Sequence, residues 1–101
     1  MSNALRPASG ARFLLERTVD HGTSATYRAA VYTSDAEWES TAELREDGTF
    51  DLVPTGAPAN LEENIVMQAR LLARGASKRR VDGLPVWPAR VLRWRGPGRG
   101  D

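Results

Sequence analysis

The residues best suited to binding chemistry lie in the second half of the chain, where basic side chains alternate with tryptophans. Arginine and lysine can contact successive phosphates of a nucleic acid while an indole ring stacks on a base. The candidate contacts to a nucleic acid or a protein partner are Lys78, Arg79, Arg80, Arg90, Arg93, Trp94 and Arg95. Trp87 and Arg99 extend the same pattern. These cations could instead pair with acidic side chains of this chain or of a partner subunit, and we prefer that interpretation.

Catalytic and metal-binding chemistry have weaker support. His21 is the only histidine, and its Asp-His-Gly surroundings are typical of a tight turn rather than of a general base. Glu37 and Glu39 are spaced like an acid–base pair, yet alternate carboxylates also occur on a solvated strand face. No phosphate-binding glycine loop, zinc ligand set or nucleophile motif is present. We therefore expect no enzyme activity, no catalytic residue, no metal and no cofactor.

Charge is divided unequally along the chain. Residues 1–63 carry 5 basic and 11 acidic side chains, whereas residues 64–101 carry 9 basic and 2 acidic ones, for a net charge of +1. A polarised chain either pairs its two halves or offers one of them to a partner. The absence of cysteine excludes disulfides, and no apolar run approaches the ~20 residues of a membrane span. We expect a cytoplasmic protein that makes no contact with membranes.

The element that precedes these residues is a sheet. Residues 12–53 alternate apolar and polar residues with a period of two, which predicts four strands in an antiparallel meander. Gly22 and Gly48 each stand third in a turn signal, where a three-residue hairpin loop requires the left-handed conformation. The predicted buried face comprises Phe13, Leu15, Val19, Tyr27, Ala29, Val31, Trp38, Ala42, Leu44, Phe50 and Leu52.

The loop lengths also predict which residues lie opposite each other. The expected pairs are Phe13–Ala29, Leu15–Tyr27, Val19–Thr23, Val31–Trp38, Tyr27–Ala42, Leu44–Phe50 and Ala42–Leu52. The opposite face is predicted to be acidic and solvated. On that face Arg28 is placed to pair with Glu16, Glu39 and Glu43.

A helix is predicted after the sheet. Asn60 and Glu63 have the spacing of a capping box. The apolar residues that follow at helical intervals are Leu61, Ile65, Ala69, Leu72 and Ala76. Val66, Met67 and Leu71 widen this apolar surface, which suits a helix covered by a sheet and the C-terminal segment, or one that meets a second subunit. Gly75 is the predicted stop, with an extension to Arg80 as the alternative.

The C-terminal segment is predicted to return across the helix or the sheet edge. Trp87-Pro88 should anchor it, and we expect both Trp87 and Trp94 to be buried, because aromatic residues supply much of the core of a small domain. Arg90–Arg95 could form a short strand or a helical turn. The predicted organisation is a flexible N-terminus at 1–11, a single α+β domain at 12–95 and a flexible tail at 96–101.

The predicted fold is α+β: a four-stranded antiparallel β-meander with one amphipathic helix on one face and an extended, Trp-containing C-terminal segment. One helix over four strands leaves apolar surface that a homodimer would bury. We expect a small soluble, non-enzymatic interaction or structural module. Two alternatives stay open: a nucleic-acid-binding module that uses the Arg- and Trp-rich second half, and a small-ligand-binding protein or enzyme.

Overall fold

The computed structural model describes residues 6–96. In chain order its elements are β1 (Ala11–Asp20), β2 (Ser24–Tyr32), β3 (Glu37–Arg45), β4 (Phe50–Leu52), α1 (Ala59–Arg74), α2 (Ala76–Val81) and β5 (Arg90–Arg95). The strands form one antiparallel sheet in the order β4-β3-β2-β1-β5. The α+β class is therefore confirmed.

The predicted sheet of four strands is corrected by a fifth. Strand β5 pairs with β1, so the C-terminal segment extends the sheet as well as closing the core. The sequence left Arg90–Arg95 open between a strand and a helical turn because its two apolar residues are neighbours. Val91 packs against the main core, and Leu92 packs against Leu14 on the opposite face. A strand that is half covered on both faces loses the apolar–polar alternation by which strands are recognised.

Two of the three predicted registers are confirmed. The pairs observed as predicted are Val31–Trp38, Tyr27–Ala42, Leu44–Phe50 and Ala42–Leu52. Gly48 has a φ of +93°, so the second loop does use the left-handed conformation.

The register predicted for the first hairpin is wrong by two residues. Phe13 lies opposite Val31 rather than Ala29, and Leu15 lies opposite Ala29 rather than Tyr27. Because side chains alternate with a period of two, this shift keeps all five residues on the predicted buried face.

A bulge in β1 accounts for the difference. Asp20 pairs with Ala25, so the loop is longer than predicted, and the register shifts between Arg17 and Val19. The extra residue turns Val19 toward the solvated face, where it lies opposite Thr26 and is 45% exposed. Its predicted burial is therefore wrong.

The main core lies between the sheet and helix α1. Helix α1 packs against β1, β2, β3 and β4. The buried helical residues are Ile65, Ala69, Leu72, Ala73 and Ala76. Apart from Val19, every residue of the predicted apolar face belongs to this core or packs against it. Strand β5 lies beyond the strands that α1 covers.

The helix begins two residues earlier than predicted and has no side-chain cap. The capping role predicted for Asn60 is wrong, since α1 starts at Ala59 and no side chain caps it. The carbonyl of Pro58 accepts a hydrogen bond from the N–H of Glu62 at 2.8 Å. This is the first ordinary hydrogen bond of the helix, and proline has no side-chain oxygen that could cap the free N–H groups. Gly75 ends α1 as predicted, and α2 continues the helical segment.

The outer face of the sheet carries ion pairs. Arg28 contacts Glu16 at 3.2 Å and Glu39 at 3.1 Å, as predicted. Within the described residues, no ion pair joins Arg28 to Glu43. A second, smaller cluster of buried residues on this face comprises Leu14, Ala30 and Tyr32.

The described strands and helices lie between Ala11 and Arg95, and the predicted domain limits stay a prediction. Strand β1 begins at Ala11, one residue before the expected boundary. Before it, Arg6 pairs with Glu37 at 3.1 Å. The flexibility predicted for 1–11 and 96–101 stays a prediction, and residues 1–5 and 97–101 lie outside the described part of the chain. Among residues 6–96, neither helix has the length and apolar composition needed to cross a membrane.

Candidate functional site

Arg79 is the candidate cation of helix α2 that points inward. Arg79 donates from Nη2 to the carbonyl of Leu72 and from Nε to the carbonyl of Val86, both at 2.7 Å. These carbonyls belong to the last turn of α1 and to the segment after α2, where no helical N–H reaches them. Burial lowers the pKa of Arg79, although an arginine stays protonated in a protein. Arg79 therefore fastens two segments of the fold together.

The two neighbours of Arg79 are also paired. Arg80 donates from Nε to the Glu46 carboxylate at 2.7 Å and from Nη2 to the carbonyl of Gly22 at 3.0 Å, and the hydrogen bond to Glu46 raises the pKa of Arg80. Lys78 contacts Asp82 one turn later on the same helix at 3.0 Å. Lys78 and Arg80 thus pair with acidic side chains of this chain, whereas Arg79 binds backbone carbonyl groups instead.

Trp87 anchors the return of the chain to the sheet. It is buried, and its Nε1 donates to the carbonyl of Gly22 at 2.9 Å. Its ring meets Tyr27 edge to face at 6.5 Å. Arg17 donates to the carbonyl of Trp87 at 2.6 Å, and the Tyr27 hydroxyl donates to the carbonyl of Pro88 at 2.7 Å. Burial raises the pKa of Tyr27 to about 12, which keeps this hydroxyl a donor. The predicted burial of Trp87 is confirmed.

Strand β5 behaves in the opposite way. Arg90, Arg93 and Arg95 are exposed, and none of them forms an ion pair with any other described residue. Trp94 is 57% exposed, so its predicted burial is wrong. Its register explains this, because Trp94 lies opposite Arg12 on the outer face and no helix packs there. We call the residues Arg90, Leu92, Arg93, Trp94 and Arg95 the basic edge.

The backbone of the basic edge has an unpaired side. Arg17 N donates to Ala89 O at 2.9 Å, which fixes the phase of the β1–β5 ladder. In an antiparallel ladder, residues bonded to the neighbouring strand alternate with residues directed away from it. The groups directed away from β1 are therefore the N–H and C=O of Arg90, Leu92 and Trp94. Within residues 6–96, β5 is last in the sheet, so no strand pairs with this side.

A groove separates the basic edge from helix α1. It has a volume of about 320 Å³ and is lined by Gln68, Leu71, Leu72, Arg79, Pro88, Val91 and Arg93. Leu71 is 56% exposed, and Met67, one turn earlier on the same flank of the helix, is 48% exposed. We call this space the edge groove. An unpaired strand, exposed apolar helix residues and unpaired arginines thus meet at one place.

The far end of β5 is held by the segment that precedes β1. Trp94 Nε1 donates to the carbonyl of Ser9 at 3.1 Å. Gly10 has a φ of +71°, and a Cβ atom there would lie 2.1 Å from the carbonyl oxygen of Arg95. Glycine is required at this position, since any side chain would push the two segments apart.

The groups considered for catalysis are not brought together. His21 lies in the exposed β1–β2 loop, 3.5 Å from the Thr26 hydroxyl. Glu37 pairs with Arg6 and Glu39 pairs with Arg28. Among residues 6–96, no group of three or more His, Cys, Asp or Glu side chains is placed to hold a metal ion.

The sequence found the arginines and Trp94 but missed the apolar half of the site. The sequence predicts only that Met67 and Leu71 widen the apolar surface of the helix and that Gln68 lies near its apolar stripe, with no role for these residues in a site. The signal was present, because these residues lie beside the stripe that faces the sheet. Interpreting it required the position of β5.

Comparisons with known proteins give no indication of what this site binds. No family model, no curated protein and no solved structure matches this chain.

Proposed function

We propose that this chain is a non-enzymatic interaction module that binds another protein at its basic edge and edge groove. The observation that carries the proposal is the unpaired side of β5, flanked by exposed apolar residues of α1. Exposed sheet edges are sites of strand addition, in which main-chain hydrogen bonds give affinity and side-chain pockets give specificity. The absence of catalytic activity stays a prediction.

The contrast within the chain supports this surface. Arg79, Arg80 and Trp87 are all engaged by other residues of the fold. Arg90 and Arg95 have no such partner among the described residues. Arg93 donates only to the carbonyl of its neighbour Leu92, at 3.1 Å on the exposed edge. Exposed apolar side chains beside unpaired backbone groups are typical of a surface that another molecule covers.

Nucleic-acid binding is the second candidate, and the exposure of Trp94 favours it. A free indole ring beside three unpaired arginines could stack on a base while the cations contact phosphates. Two observations place it second. Arg79 and Arg80, which belonged to the predicted nucleic-acid surface, are committed to the fold. The outer face beyond β1 carries Glu16, Glu39 and other carboxylates, which repel a polyanion lying across the sheet.

A peptide selection tests the proposal. A display library of random twelve-residue peptides is selected against the intact chain, and the enriched peptides are measured by fluorescence polarisation. They are then measured against Leu92→Pro, which removes an N–H directed away from β1 while leaving the β1–β5 ladder intact. Leu92→Ala is the matched control, because it shortens the same side chain but keeps the N–H.

We expect enriched peptides to bind the unchanged chain and Leu92→Ala, and to bind Leu92→Pro at least about tenfold more weakly. Thermal unfolding checks that both variants fold. A library that yields no binder, or binders that do not distinguish Leu92→Pro from Leu92→Ala, would overturn the proposal.

A further inference from the structure

We infer, on the basis of the proposed function, that the partner is an extended acidic segment that adds to β5 as a sixth antiparallel strand and places one apolar side chain in the edge groove. The preference for an antiparallel strand follows from the sheet itself, in which every neighbouring pair is antiparallel. Antiparallel pairing also gives slightly stronger hydrogen bonds than parallel pairing.

The phase of the ladder assigns the faces of the added strand. Partner residues opposite Arg90, Leu92 and Trp94 exchange main-chain hydrogen bonds with β5, and their side chains lie on the outer face. Partner residues opposite Val91 and Arg93 turn toward the edge groove. The two sets alternate, so the position of each side chain along the partner is fixed by the strand it joins.

The chemistry of each position follows from the residue it faces. Arg90, Arg93 and Arg95 each call for a carboxylate, because an arginine donates two hydrogen bonds to a carboxylate in one plane. The position opposite Val91 points into the part of the groove lined by Leu71, Leu72 and Pro88, and therefore calls for an apolar side chain. The partner position opposite Leu92 favours a β-branched residue, which packs against the leucine across the strand pair.

A second copy of this chain fits the edge less well. Self-pairing centred on Leu92 would set Arg90 opposite Trp94 of the other copy, which geometry permits. No arginine lies directly opposite another in that register, but each Arg93 lies diagonal to the Arg93 of the other copy, and no carboxylate stands between the two basic edges, so their like charges repel. Charge complementarity thus selects an acidic partner over a second copy.

A synthetic peptide with the sequence Glu-Thr-Glu-Val-Leu-Glu is the probe. Read from its first residue, it lies opposite Arg95, Trp94, Arg93, Leu92, Val91 and Arg90. It carries blocked ends and a fluorescent label. The control peptide, Glu-Thr-Leu-Val-Glu-Glu, has the same composition but exchanges the glutamate that faces Arg93 with the leucine that enters the groove.

We expect the probe to bind the intact chain at least about tenfold more tightly than the control, by fluorescence polarisation at 50 mM salt. Arg93→Glu should weaken the probe by a similar factor, and a peptide with lysine at the third position should recover affinity for that variant. Lys78→Glu, an equal change of charge on α2, should leave probe affinity within about twofold.

The outcomes separate the inference from the proposed function. Equal binding of probe and control, or failure of the lysine peptide to recover affinity for Arg93→Glu, would overturn the inference. So would tighter binding of a twenty-residue oligothymidine, or concentration-dependent dimerisation that Leu92→Pro abolishes. If the library selection yields only neutral or basic binders that distinguish Leu92→Pro from Leu92→Ala, the proposed function is supported and the inference of an acidic partner is overturned. If it yields none, both fail.

Discussion

Two segments of this chain have nearly the same composition and opposite uses. The α2 segment and the return that follows it contain Arg79, Arg80 and Trp87, and each of these side chains binds a carbonyl or a carboxylate within the fold. The basic edge contains arginines and a tryptophan as well, but its arginines form no ion pair within residues 6–96. The residue types alone do not distinguish a structural clamp from a binding surface.

The difference arises from the backbone that each segment meets. A helix end and an irregular return leave carbonyl groups without N–H partners, and long polar side chains supply the missing donors. A strand satisfies half of its backbone groups through one neighbour and directs the other half outward. Arginines beside a helix end are therefore drawn inward, whereas arginines on an edge strand stay free for a partner.

The two tryptophans should give the largest contrast in stability. Trp87→Ala should lower the free energy of unfolding by about 3–5 kcal/mol, because it opens a cavity and removes one of the two donors to the Gly22 carbonyl, leaving only Arg80. Trp94→Ala should lower it by less than about 1 kcal/mol. Urea unfolding followed by circular dichroism measures both. If Trp87→Ala does not fold, Trp87→Phe serves in its place, and equal losses at the two positions would contradict the contrast.

The arginines should show a smaller difference of the same kind. Arg79→Met keeps the aliphatic stem but leaves the carbonyls of Leu72 and Val86 unpaired, so it should cost about 2–3 kcal/mol. Arg93→Met is the matched change on the basic edge and should stay within about 0.5 kcal/mol of the unchanged chain. The urea concentrations at the midpoint of unfolding provide the comparison, with the same dependence of the unfolding free energy on urea concentration in both variants. A costly Arg93→Met would mean that the basic edge also supports the fold.

High pH should lower the free energy of unfolding through Tyr27 by a still smaller amount. Burial raises the pKa of Tyr27 from 10.0 to about 12, so the folded state holds a proton that the unfolded state releases. The contribution of this group to stability is then fully present below pH 10 and is lost as the pH rises through 12. At pH 11 the loss should be on the order of 1 kcal/mol. Urea unfolding at pH 9 and pH 11 measures it, and Tyr27→Phe should lose this slope.

The strands of the meander could be predicted because their pattern is local. Alternation placed Phe13, Leu15 and Leu44 on the buried face, and short loops fixed two registers. The register predicted for the first hairpin is wrong because the bulge in β1 does not disturb the apolar–polar alternation before Val19. Val19 is itself apolar, so its residue type predicted burial. Helical periodicity likewise predicted α1, although the helix starts at Ala59 and lacks the expected side-chain cap.

The candidate site could be predicted only in part. The sequence identified the arginines of β5, since unpaired charge is visible in composition. It could not show that Arg79 would turn inward, because that depends on carbonyls of Leu72 and Val86 brought near by the fold. Nor could it assign Trp94 to the uncovered face. That assignment depends on β5 joining β1, a pairing between residues far apart in the chain.

The hydrogen bonds that hold Trp87 and Pro88 also bear on the order in which the domain assembles. They join residues between 61 and 70 positions apart. Closing loops of that length costs entropy before any contact repays it, so such contacts form late in folding. Strand β5 follows directly after them and can dock only onto a hairpin that is already in place. During synthesis β5 emerges after the other strands and both helices, so the surface that we propose binds a partner forms after the rest of the sheet, and until then β1 is the edge strand.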